Sequence, residues 1–158
     1  MSVLLTASLS ATLPLSAASH VDVVKMRTEN RVNPLGIGTS TPRFSWQITS
    51  DRKGVVQTSY QILVASSREK LDRNEADLWD SGERNSDEQL WIPYQGKALL
   101  SGAQAYWKVR ITTNKGKSEW TEPQLFTIGL LGETKWSGTW IGLEDLQPGE
   151  QKGMHTRL

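Results

Sequence analysis

Alternation of apolar and polar residues with a period of two constrains this chain more than any other feature. In Phe44-Ser45-Trp46-Gln47-Ile48-Thr49 every second side chain is apolar, so Phe44, Trp46 and Ile48 share one face of an extended strand. Trp107, Val109 and Ile111 alternate in the same way against Lys108, Arg110 and Thr112. Asn114-Lys115-Gly116 then supplies a hairpin turn, and Gln124 to Ile128 the return strand. From Thr58 to Ser66 both alternate sets are largely apolar, Tyr60, Ile62 and Val64 on one side and Gln61, Leu63 and Ala65 on the other. A strand of that kind is expected to be central and nearly buried on both faces.

The remaining segments fit the same architecture. Val21, Val23 and Val24 predict a first strand over His20 to Arg27, followed by the turn-rich stretch Asn30 to Pro42. Leu90-Trp91-Ile92-Pro93 reads as a short strand ended by its proline. Between Arg68 and Glu88 eight acidic and four basic residues interrupt the pattern, which predicts a connection with one short edge strand around Leu78 to Glu83. No stretch of 12 or more residues keeps a helical period. About seven short strands separated by turn signals describe an all-β, immunoglobulin or fibronectin-type-III-like sandwich.

At 158 residues the chain has room for one sizeable core. Residues 20–130 are read as the sandwich, 131–158 as a Gly-rich and polar linker into a further domain, and 1–19 as a leader. Met1 to Ser19 holds no charged side chain and runs through Leu4, Leu5, Leu9, Leu13 and Leu15 to Ser16-Ala17-Ala18, the pattern of a secretory signal without its basic start. A secreted or periplasmic location follows as an expectation. No later stretch approaches the ~20 apolar residues of a membrane span. The formal charge of +1 gives no footprint for nucleic acid, and with no cysteine there are neither disulfides nor thiolate sites.

Several runs carry a resemblance. Glu29-Asn30-Arg31-Val32-Asn33-Pro34-Leu35-Gly36, Pro42-Arg43-Phe44-Ser45-Trp46 and the segment Gln57 to Ser67 are followed by Leu78-Trp79-Asp80-Ser81-Gly82, Tyr106-Trp107-Lys108-Val109-Arg110, Gly129-Leu130-Leu131 and Trp140-Ile141-Gly142. In that order they resemble the N-terminal domain of bacterial α-L-rhamnosidases, inverting glycosidases that release terminal rhamnose. The resemblance implies that a sugar-binding β-sandwich and then an (α/α)₆ barrel with the catalytic carboxylates follow in the same polypeptide. It departs from the general fibronectin type III pattern at Ala105, where related sandwiches often carry a corner tyrosine.

The residues themselves hold no catalytic constellation. An inverting glycosidase needs an acid and a base ~6.5–9.5 Å apart, the acid with a raised pKa. The carboxylates Asp72, Glu75, Asp77, Asp80, Glu83, Asp87 and Glu88 sit in a charged connection with nothing to raise theirs. No catalytic, cofactor or metal residues are assigned. His20 and His155 lie at opposite ends, and the acidic run lacks calcium-loop spacing. Gly36-Ile37-Gly38 has no phosphate-loop spacing and reads as a turn.

Seven tryptophans against two phenylalanines and three tyrosines leave one alternative, a carbohydrate-binding module with rhamnose-containing glycans as ligands. Trp46 and Trp107 fall on core faces. Trp79, Trp91 and Trp120 are the candidate sugar platforms, and Trp120 is also placed to stack on Arg110 or Lys108. Trp136 and Trp140 are candidates for contact with the next domain. The leading expectation is a non-catalytic accessory domain that spaces and stabilises the domains behind it.

Overall fold

The computed structural model describes residues 21–132. Strands β1 (Val21–Thr28), β2 (Arg43–Ser50) and β6 (Ile92–Pro93) form one antiparallel sheet in the order β1-β2-β6. The facing sheet is built on β3 (Gln57–Ala65) and β7 (Gln104–Thr113), paired antiparallel. Two short strands, β4 (Trp79–Asp80) and β5 (Arg84–Asn85), share the free edge of β3, while β8 (Gly116–Lys117) and β9 (Gln124–Thr127) share the other edge of β7. The nine strands therefore fill seven strand positions, and the chain folds as an immunoglobulin-like sandwich.

The alternating faces meet between the sheets. Phe44 is fully buried, with its ring centroid 4.4 Å from Trp107 and 5.8 Å from Phe126. Trp46 packs edge-on against Tyr60 at 5.3 Å, and its indole N–H donates to Gln57 Oε1 at 3.0 Å. The Gln57 amide in turn donates to the carbonyls of Ser86 and Glu88, so a buried polar group is satisfied and ties the charged connection to the core. Ala105 is buried at its inward position, and Tyr106 lies on the opposite face.

Two local features differ from the sequence reading. The connection after β3 contains a five-residue helix, α1 (Arg68–Asp72), started by Ser67, whose hydroxyl accepts from the Lys70 N–H. Five residues are too few to display a period of 3.6 in the sequence. This helix brings Leu71 onto the outer face of β3 beside Leu63 and Ala65, and so explains why β3 is apolar on both sides. The second difference is at Leu90–Pro93, where only Ile92 and Pro93 pair with β2. Trp91 instead takes a left-handed backbone conformation with φ of 59°.

Candidate functional site

A glycosidase acid must be held protonated, and the charged connection does the reverse to several of its carboxylates. The Glu75 carboxylate receives two hydrogen bonds from Arg73, which hold its pKa below the ordinary value. Glu83 accepts from the hydroxyls of Ser59 and Thr112, and these likewise lower it. At Asp77 burial pushes the carboxyl up, but bonds from Lys70 Nζ and from the Ser66 N–H and hydroxyl outweigh it and draw the pKa down to about 2. Asp80 accepts from Gln61 and the Gly82 N–H, and Asp72, Asp87 and Glu88 are exposed. Among the described residues no group of three or more His, Asp or Glu stands where it could hold a metal ion, and no helix is long and apolar enough to cross a membrane. Gly36, with φ of 69°, forms a turn that is followed by no helix.

The candidate tryptophans have three different surroundings. Trp79, proposed as a platform, is a core residue: only 9% exposed, it stacks near Phe44 and meets Tyr94 in a T-shaped contact, so it is packed among aromatic rings. This corrects its reading as a sugar contact, because β4 is paired to β3 and its Trp points between the sheets. Trp120 is half-buried beneath two cations, the Arg110 guanidinium 4.4 Å and the Lys108 ammonium 5.1 Å from its centroid. The Lys108 ammonium also donates to the Leu71 carbonyl and to Asn74 Oδ1, which closes the C-terminal end of α1. Trp91 alone of the three is exposed, at 46%. The leader 1–19, His20, His155, Trp136 and Trp140 lie outside the described residues.

The fold agrees with comparisons to known proteins. A family model described as the Rha78A-like N-terminal immunoglobulin domain matches residues 23–132. The chain belongs to that family. It is 39% identical over 127 residues to an α-L-rhamnosidase of Formosa agariphila, covering 79% of this chain and 13% of that protein. An α-L-rhamnosidase of Streptomyces avermitilis is 39% identical over 124 residues, 78% of this chain and 12% of that protein. Among solved structures, the Streptomyces avermitilis α-L-rhamnosidase complexed with L-rhamnose superimposes with a TM-score of 0.71 at 36% identity, over 78% of this chain and 12% of that one. The Dictyoglumus thermophilum α-L-rhamnosidase gives a TM-score of 0.71 at 35% identity, over 78% of this chain and 14% of that one. The chain thus spans about an eighth of the length of the relatives it matches.

In this Rha78A-like domain the end of the sandwich where β9 leads out is built from three backbone segments. Ile37 N–H donates to the Thr127 carbonyl, Gly129 N–H to Ile37, and Gly102 N–H to the carbonyls of Ile128 and Gly129. A side chain at Gly129 would press on the Gly36 backbone at 3.1–3.4 Å, so glycine lets the two segments close up. Each segment carries an exposed leucine, Leu35 at 72%, Leu100 at 73% and Leu130 at 64%. Sequence reasoning missed this grouping because the three lie up to 95 residues apart. Single exposed leucines are ordinary, and their carriage on one hydrogen-bonded framework is what distinguishes these.

Proposed function

We propose that this domain is a non-catalytic accessory module of a secreted α-L-rhamnosidase, spacing and stabilising the domains that follow it in the polypeptide. The observation that carries this reading is the state of the carboxylates. Among the described residues, every carboxylate whose pKa departs clearly from its ordinary value, namely Glu29, Glu69, Glu75, Asp77 and Glu83, is lowered, whereas a general acid needs the opposite. The small share of each relative that the chain matches supports placing catalysis in other domains. Leu35, Leu100 and Leu130 at the exit end suit a seat for the next domain, and the uncharged apolar run in 1–19 supports secretion.

The test uses the 158-residue chain with p-nitrophenyl α-L-rhamnopyranoside. No release of nitrophenol above the buffer rate is expected, and turnover that disappears on changing any one carboxylate would overturn the proposal. In a rhamnosidase polypeptide carrying this domain, Leu35→Asp with Leu130→Asp should lower the melting temperature without changing the turnover number. An unchanged melting temperature would refute the seat.

A further inference from the structure

Trp91 occupies a backbone conformation that its side chain disfavours. Six non-glycine residues among those described have left-handed φ, and three of them, Lys25, Asn30 and Trp91, line one pocket of about 130 Å³ on the outer face of the β1-β2-β6 sheet. Bulky residues in this region are outliers, and such strain gathers at binding sites. The pocket has an identifiable origin. Where β1 passes Trp46 its register shifts between Val24 and Arg27, so Lys25 and Met26 together oppose one residue of β2. Such a bulge re-aims side chains. Met26 turns into the core, while Lys25 and Arg27 line the pocket.

The Trp91 ring is held from behind. The Arg43 guanidinium lies 4.3 Å from its centroid, and Glu29 fixes Arg43 by accepting from its backbone N–H at 2.8 Å, Nε at 3.0 Å and Nη2 at 2.7 Å. The Trp91 N–H donates to Ser45 Oγ at 3.0 Å, which anchors the strained residue to β2. One face of the indole is covered by Arg43, and the residue remains 46% exposed beside the pocket that it lines. Beside it stand Lys25, Arg27, Asn30 and Gln47, and no carboxylate lines the pocket. Glu29, which holds Arg43, is neutralised by it. Arg27 spends Nη1 on the Asn30 carbonyl and keeps its remaining donors.

A rigid aromatic face with cations and amides at its rim fits a ring that is apolar on one side and anionic at its edge. We infer that the Trp91 pocket is a binding subsite for an anionic saccharide, its pyranose ring lying on the indole face away from Arg43 and its carboxylate or sulfate held by Arg27 and Lys25. This subsite is independent of the accessory role and of the exposed leucines Leu35, Leu100 and Leu130.

The experiment is calorimetric titration of the 158-residue chain with α-1,4-trigalacturonate, a sulfated carrageenan disaccharide, maltotriose and L-rhamnose, with the Trp91 indole N–H followed by NMR. Saturable binding of at least one anionic probe is expected, at least about tenfold tighter than either neutral sugar. Binding of trigalacturonate alone names a carboxylate ligand, and binding of the disaccharide alone a sulfate ligand. No binding, or equal binding of the neutral sugars, overturns the inference. Trp91→Ala and Arg27→Ala should each weaken binding at least about tenfold. Trp91→Gly separates function from folding, since glycine accepts the left-handed backbone. Its melting temperature should equal or exceed that of the parent while binding is lost, and binding retained in this variant would refute the stacking platform.

Discussion

Replacing Asp77 with Asn removes one charge from a carboxyl that fastens the α1 connection to the end of β3. The carboxylate accepts from Lys70 Nζ at 2.6 Å, and from the Ser66 N–H at 2.9 Å and Ser66 Oγ at 2.7 Å. Burial alone would raise its pKa, but these bonds bring it from 3.8 down to about 2. Taken at face value that displacement corresponds to about 2.4 kcal/mol. The Asp77 and Lys70 side chains are 33% and 36% exposed, so solvent screening reduces the expected effect to roughly 1 kcal/mol. Asn retains an acceptor for the Ser66 N–H but puts an amide NH2 where Oδ2 accepts from Lys70 and the Ser66 hydroxyl, so the charge and those two bonds are lost together, as they are when the carboxyl is protonated. Because the folded-state pKa is depressed, the stabilisation is complete above the unfolded value near 3.8 and is lost as pH falls through about 2. Urea unfolding followed by tryptophan fluorescence should therefore show D77N unfolding about 0.5–1 M earlier than the parent at pH 7, with the gap closing towards pH 2. A gap of the same size at both pH values would refute the electrostatic reasoning, and so would no gap at pH 7.

Phe44→Ala should cost about 3–5 kcal/mol in the same urea assay, since the fully buried ring joins Trp107, Phe126, Trp79 and Tyr94 across the two sheets. Gly96→Ala would press a methyl group into Trp79 Cβ, the Leu78 carbonyl and the Tyr94 hydroxyl, and a thermal melt should record a loss of about 1–3 kcal/mol. Trp120→Ala removes the ring beneath Arg110 and Lys108 and should cost about 1–2 kcal/mol by urea unfolding, with amide exchange rising first over α1.

The pairing of the connection's carboxylates was legible because eight acidic residues among four basic ones, with little apolar cover, predict solvated and paired groups. Trp120 was legible too, as strand alternation sets Arg110 and Lys108 on the face away from the core. Trp79 was misplaced for the opposite reason. It lies in a two-residue strand, too short for alternation to assign a face, and only its pairing with Val64 turns it inward. The Trp91 pocket had no local signal, since its left-handed backbone is held by Ser45, 46 residues away, and by the Arg43–Glu29 pair.

By itself the sequence determined which residues face the core on the long strands. Side-chain direction in a strand follows from backbone geometry alone, so Phe44 and Trp46, Ile62 and Val64, and Trp107 and Val109 were assigned correctly without knowing their partners. Only the tertiary structure decided how the edges are split between short strands, which helix covers β3, and where Trp91, Lys25 and Arg27 come together. These depend on contacts between segments tens of residues apart, whose geometry is fixed when the two sheets pack and not by any local pattern.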